Sequence, residues 1–313
     1  MQNSKNVKGP GKRFIIILKF ALTALLLALI FQKVGIRVLI DRFYQIKPLF
    51  LVFALLPGIL FTLLKAYKWH YLISLADRPC SYARSLESYL IGMAIGLITP
   101  GRIGEVGRVF YLKAGRKLES VGLVGVDKLL DLAVVFALSC AGGFLMLKGT
   151  IGFLFILLAA AILLCLSYPG IPIGLIKKIL SPFSIRDKVQ TILESMERVK
   201  GKPMAVSLAM TAAAYGLVLA EFYLLILGFE FVPIQPILVV FPLVMLTNIL
   251  PVTIGGLGVR EGTAAVLFSM FNVSEAIAVN AAFLIFFINT FLPGLIGALL
   301  LLKRTLFNRS VKT

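Results

Sequence analysis

The chain has 313 residues, 59% of them hydrophobic and 15% charged, with a mean hydropathy of +0.99. So much apolar sequence excludes a soluble domain, because it exceeds what one water-facing core uses. The formal net charge of +18 does not point to nucleic acid either, since basic residues in short loops between apolar spans report membrane orientation and anionic headgroups.

Lys5, Lys8, Lys12 and Arg13 stand at the N-terminus, and Lys303, Arg304, Arg309 and Lys312 at the C-terminus, with no acid beside either group. The positive-inside rule places both ends on the cytoplasmic side of the cell (inner) membrane, so the number of full crossings is even. No small-residue cleavage site follows the first apolar run, which therefore reads as an uncleaved span over 14–31. Residues 33–47 are amphipathic and moderately basic, which fits the outer face poorly and is accommodated by an interfacial helix over 36–46. A second span over 49–64 ends in the basic, aromatic run 65–71, read as an interface anchor in which His70, between Trp69 and Tyr71, takes part.

The segment ITPGRIGEVGR, residues 98–108, follows an apolar arm over 89–98 that is too short to cross a bilayer. Proline, glycines and charges at membrane depth are tolerated only where freed backbone is buried in protein or lines a watery cavity. The arm and motif therefore read as a re-entrant hairpin returning over 104–112. LPVTIGGLGVREG, residues 250–262, is a near-copy: Pro100 and Pro251, Gly104 and Gly255, and Gly107 and Gly258 are each 151 residues apart. Pro100, Gly101, Gly104, Pro251, Gly255, Gly256 and Gly258 are the predicted helix breaks.

The third span, over 121–147, opens with VGVDKLLDL, which puts Asp127 and Asp131 on one helix face with Lys128 within reach. A fourth span over 151–168 leads to the amphipathic segment 169–202, with seven basic and three acidic residues, read as cytoplasmic. The fifth span, over 204–227, carries Glu221 near its outer end, where solvation is expected. The arm over 234–250 enters the second motif, 263–271 leaves it, and a last span runs over 276–302. Asn248 and Asn289 read as interhelical hydrogen-bonding residues.

The predicted fold is an all-α polytopic membrane protein, one integral membrane domain over 1–313. It has six full transmembrane helices plus two re-entrant helical hairpins, with halves over about 14–147 and 151–302. Three crossings per half is odd, so the halves form an inverted repeat, the layout of an alternating-access carrier with its site at the repeat interface.

Helix N-termini freed by proline and glycine carry partial positive charge that attracts phosphate or carboxylate. Arg102, Arg108 and Arg260 add guanidinium groups that match phosphate geometry. Glu105, Glu261, Asp127 and Asp131, with Lys128, can hold those arginines when the site is empty or accept an amine-bearing headgroup. A plainer reading makes Arg102 and Arg108 inner-face residues paired with Glu105, and 127–131 a self-neutralised cluster. No metal or cofactor is expected, because Cys80, Cys140 and Cys165 are scattered and His70 is the one histidine.

PGRIGE with the following GR, DKLLD, and LPVTIGGLGVRE, in that order, resemble the membrane domain of bacterial lysylphosphatidylglycerol synthase/flippase proteins and their stand-alone relatives, over about residues 14–302. The resemblance implies a lipid-translocating or lipid-handling domain with Arg102, Glu105, Asp127, Lys128, Asp131, Arg260 and Glu261 at the motif positions. Asp127 and Lys128 stand where the family more often has Glu-Arg. A soluble aminoacyl-transferase domain follows in two-part members; here the chain stops at Thr313, so no synthase activity is expected.

The leading expectation is a flippase for an anionic or aminoacylated phospholipid or a polyprenyl-linked glycolipid. The alternatives are an intramembrane headgroup-modifying enzyme using Glu105 or Asp131 as acid or base, and a subunit recruiting a separate lipid synthase through 177–202. A homo-oligomer is compatible with each. The enzyme reading lacks support from HExxH, GxSxG or P-loop signatures.

Overall fold

A computed structural model describes residues 12–75, 80–112, 117–147, 149–168, 186–249 and 253–310, and these are helical throughout with no strand. The first half comprises α1 (Lys12–Ile30), a π-helical turn (Phe31–Gly35), α2 (Ile36–Tyr44), α3 (Pro48–Ser74), α4 (Tyr82–Ile98), a 3₁₀ segment (Pro100–Tyr111) and α5 (Lys117–Leu145). Then follow α6 (Gly149–Ser167), α7 (Arg186–Glu197), α8 (Lys202–Phe229), α9 (Ile234–Leu246), α10 (Val259–Ser269), α11 (Glu275–Phe286), a π-helical segment (Phe287–Phe291) and α12 (Leu292–Ser310).

Among the described residues, five helical runs are long and apolar enough to cross a membrane: Ala21–Tyr44, Pro48–Ser74, Gly149–Ser167, Lys202–Phe229 and Glu275–Thr305. The chain is thus an all-helical membrane protein. The sixth predicted crossing corresponds to α5. At 29 residues it has the length, but Asp127, Lys128 and Asp131 lie in its first half. Such charges in a membrane helix must face the protein interior, and those two aspartates are buried. The helix expected over 36–46 is present as α2, tied to α11 by Asn280 Nδ2, which donates to the Leu39 carbonyl at 3.0 Å.

Two apolar cores hold the elements together. One joins α3, α8, α9 and α11, with Phe222 stacked on Phe241 at 3.8 Å between centroids. The other gathers Trp69, Leu72, Tyr89, Leu123 and Leu130 from α3, α4 and α5. Where apolar helices in lipid lack a hydrophobic drive to associate, small residues let backbones approach, and α12 meets α4 in this way. A Cβ on Gly294 would stand 2.2 Å from Leu97 Cδ1, and one on Gly297 only 1.8 Å from the Leu90 carbonyl oxygen. The neighbour at Gly297 is backbone and cannot rotate away. Gly297→Ala is therefore expected to part the helices and cost about 1–3 kcal/mol or more of stability, read as a lower thermal midpoint in detergent. Gly216→Ala on α8 is the control: nothing lies within 4 Å of its Cβ, and stability should hold or rise by roughly 1 kcal/mol.

The first charged motif forms a hairpin. After α4 the chain reverses, and its return arm is a 12-residue 3₁₀ helix, which is unusually long for that geometry. Its glycine spacing explains it. A 3₁₀ helix has three residues per turn, so residues i and i+3 eclipse, and Gly101, Gly104 and Gly107 fall on one edge. That edge lies on α4: Cβ atoms on Gly104 and Gly107 would meet the Ile95 carbonyl oxygen at 2.5 Å and Ile95 Cδ1 at 3.0 Å. Arg102, Glu105 and Arg108 share the next edge. Reciprocally, Gly96 of α4 leaves room for Glu105 Cγ and Gly92 for Arg108 Cβ, at 2.7 and 2.8 Å from their absent Cβ positions.

In the second motif, Gly255, Gly256 and Gly258 all have positive φ (62°, 76° and 85°), which residues with a side chain rarely adopt. The predicted break at Pro251 lies outside the described residues. The two broken motifs, 151 residues apart in sequence, touch: the Pro100–Tyr111 segment packs against Ile254–Gly256. The amphipathic stretch 169–202 is described only from residue 186, where α7 packs against α5.

Candidate functional site

Five charged side chains from three elements meet beside the first hairpin. Asp127 sits at the centre: Oδ1 is 2.5 Å from Lys68 Nζ and 3.8 Å from Lys65 Nζ, and Oδ2 accepts from Arg108 Nη2 at 2.9 Å. One turn along α5, Asp131 receives Lys65 at 2.5 Å and Lys68 at 2.9 Å. Lys68 also donates to Thr211 Oγ1 on α8 at 3.0 Å. The Arg108 guanidinium lies over the Trp69 ring, 3.8 Å from its centroid.

A second group borders it. Arg102 Nε is 2.6 Å from Glu105 Oε1, and Lys128 pairs with Glu105 Oε2. Arg102 is in the left-handed region at φ 56°, a costly conformation for a residue with a Cβ and one that concentrates at functional sites. Across the gap, on α10, Arg260 pairs with Glu261 and lies 4.9 Å from the Phe286 ring centroid. Glu261 Oε2 in turn accepts the Gly258 N–H at 2.7 Å, so this carboxylate caps the helix that begins at the second break.

The sequence-predicted site residues divide accordingly. Arg102, Glu105 and Lys128 form one group, Arg108, Asp127 and Asp131 another, and Arg260 with Glu261 a third. The structure brings the first two into contact and sets the third across a shared cavity of about 440 Å³. Lys65, Arg102, Glu105, Lys128 and Asp131 line it from one half and Arg260 from the other. Arg108 and Asp127 lie behind its wall. Asn248, two residues before the second motif, also borders it.

Two partners went unread in the sequence. The basic run over 65–71 reads as an interface anchor, yet Lys65 and Lys68 are buried, at 5% and 0% exposure, against the aspartates of α5. The signal was available: two acids four apart at membrane depth require cations, and lysines three apart on a neighbouring span supply them on one helix face. The correction for Glu221 is larger. Expected in solvent, it is wholly buried and accepts from Asn289 Nδ2 at 2.5 Å.

Charge is not balanced at the cavity. Its first-half lining sets Lys65, Arg102 and Lys128 against Glu105 and Asp131, a surplus of one positive charge; behind the wall Lys68 and Arg108 outnumber Asp127 by one more, and Arg260 and Glu261 cancel. Guanidinium N–H groups also remain unused: among the described residues, Arg260 Nε on the cavity, and Arg108 Nε and Nη1 behind its wall, are buried with no hydrogen-bond partner. A surplus of cations with free donors around a cavity is the arrangement that takes a phosphate-bearing anion.

Comparison with known proteins bears out the family resemblance. The family described as lysylphosphatidylglycerol synthase TM region matches residues 16–297. The UPF0104 membrane protein MJ1595 of Methanocaldococcus jannaschii is 25% identical, covering 98% of this chain and 99% of its own length. No solved structure matches the chain.

Proposed function

Given that this chain belongs to the lysylphosphatidylglycerol synthase transmembrane-region family, we propose that it moves a charged lipid headgroup between leaflets. The substrate is an anionic or aminoacylated phospholipid or a polyprenyl-linked glycolipid. One observation carries the reading: a cavity among membrane helices, lined from both broken motifs, whose first-half wall sets three cations, Lys65, Arg102 and Lys128, against two carboxylates, Glu105 and Asp131, with Arg260 facing them from the second half. Spontaneous flipping is slow because the headgroup charge must leave water. A cavity that exchanges hydration for fixed guanidinium and ammonium groups lowers that cost.

In this reading Glu105 and Glu261 hold Arg102 and Arg260 while the site is empty. An arriving phosphate takes over the guanidinium donors, and an aminoacyl headgroup adds an ammonium that the released carboxylates accept. The volume of about 440 Å³ falls in the range of small-molecule sites and suits a headgroup, with acyl chains left to the bilayer. The two touching motifs are the tips of opposed hairpins in an inverted repeat, with both termini cytoplasmic. A headgroup-modifying enzyme is less well supported, because Glu105, Asp127 and Asp131 are each held by two or more cations and none is free as a general base.

Proteoliposomes carrying fluorescent phospholipids of different headgroup test the reading. Phosphatidylglycerol and its lysyl ester should equilibrate across the bilayer faster than in empty liposomes, and faster than phosphatidylcholine. Rates equal to empty liposomes for every class would reject it.

A further inference from the structure

Glu221 stands apart from the charge clusters. It lies in the body of α8, is 0% exposed, and has no cation within ion-pairing distance among the described residues. Every neighbouring element accounts for its own charges. On α3, Lys65 and Lys68 are taken by Asp127 and Asp131 of α5. They also lie at least seven residues, about 10 Å of helix rise, beyond the point where α3 passes Glu221. Lys128 of α5 is held by Glu105, and Glu275 of α11 by Lys33. Arg260 and Glu261 of α10 hold each other. Neither α9 nor the π-helical segment carries an ionisable side chain. An ionised carboxylate here would be an uncompensated buried charge, which proteins avoid by neutralising the group.

The hydrogen-bond geometry shows how. Asn289 Nδ2 donates to Glu221 Oε2 at 2.5 Å, while Glu221 Oε1 and Asn289 Oδ1 are both buried without a partner. These two orphans crowd the same point: a Cβ on Gly58 would be 2.9 Å from the first and 3.2 Å from the second. Both are acceptors when the acid is ionised, so they repel. One proton on Oε1 turns it into a donor to Oδ1 and closes a two-bond pair between carboxylic acid and amide, satisfying both atoms at once.

Asn289 then links this pair to the cavity. It lies within the π-helical segment Phe287–Phe291, and both it and Thr290 border the cavity. Inserted π turns in an α-helix occur most often at functional sites. Glu221 itself is not in the cavity wall.

We propose that Glu221 is a proton-binding site, closed by Asn289, and that its proton exchanges with cavity water as the cavity fills and empties. The Oε1–H bond breaks, the proton passes to water, and the carboxylate keeps the electron pair. Loss of the proton opens one of the two hydrogen bonds and frees the Asn289 amide to turn toward the cavity. Lipid occupancy and proton occupancy are thereby linked, and linkage is reciprocal.

Infrared difference spectroscopy of the detergent-purified protein tests this without any transport assay, so its outcome is independent of the proposed function. Titration between about pH 5 and 9 should show the carbonyl band of a protonated carboxylic acid that persists at neutral pH and is missing in Glu221→Gln. Asn289→Ala provides a second reading: the band should remain but move to the position of an unpaired acid. Identical spectra for wild type and Glu221→Gln would overturn the proton site. Adding phosphatidylglycerol in mixed micelles should shift the pH midpoint of the band, and an unchanged midpoint would overturn the linkage.

Discussion

Asp127→Ala is expected to destabilise the protein more than any other single substitution in the charge cluster. Asp127 is 1% exposed and meets Lys68, Lys65 and Arg108 at 2.5, 3.8 and 2.9 Å. Removing it leaves three buried cations sharing Asp131, which touches only the two lysines. Breaking a buried pair by deleting one partner typically costs about 3–5 kcal/mol, because the survivor is left charged and unpaired. The measurement is thermal unfolding in detergent followed by size-exclusion chromatography. Asp127→Leu combined with Lys68→Met should recover part of the loss, since the repulsion is removed along with the attraction. A midpoint for Asp127→Ala equal to wild type would mean that the cluster does not hold α3 to α5.

Arg260→Gln should reduce lipid translocation while leaving the fold in place. Its guanidinium borders the cavity, keeps Nε unpartnered and packs on Phe286. A hydrogen bond to a charged group contributes about 1.5–3 kcal/mol, which converts to a rate or affinity loss of roughly 10- to 150-fold. The partner left behind, Glu261, retains the Gly258 N–H at 2.7 Å, so the helix start stays capped. Arg260→Gln with Glu261→Gln controls for any effect of the unpaired carboxylate. If that double variant translocates at the wild-type rate, Arg260 has no part in headgroup recognition.

The sequence shows the breaks better than the pairings. A lone proline or glycine is accommodated inside a helix, as Pro57 is in α3 and Pro242 in α9, but proline, clustered glycines and charges together break one, so the hairpin at 98–112 and the broken stretch after α9 were legible, and the 151-residue repeat linked them. The 3₁₀ form of the first return arm was also written there, in glycines at 101, 104 and 107, but period three is easily passed over beside the helical period. Side-chain pairing was less legible because it depends on which face of one helix meets which face of another. Lys65 and Lys68 look the same in sequence whether they anchor at an interface or reach across to Asp127 and Asp131. Glu221 shows the converse. Position near the end of a span argues for water, yet Phe222 and Leu225 beside it are 0% exposed, and the approach of α3 at Gly58 closes the site.

Access to the cavity from the two sides of the membrane is the most direct measure of the account. With Cys80, Cys140 and Cys165 replaced by serine, single cysteines at Ile103 and Asn248 probe one cavity-lining position in the first motif and one in the arm that enters the second. Both side chains are exposed, and neither backbone has a positive φ. Proteoliposomes of known orientation are treated with a membrane-impermeant maleimide from one face and then the other. Each cysteine should react from both faces and be protected by phosphatidylglycerol, as expected for a site that opens alternately. Labelling of both positions from one and the same face only, in every condition, would contradict a headgroup pathway between the leaflets.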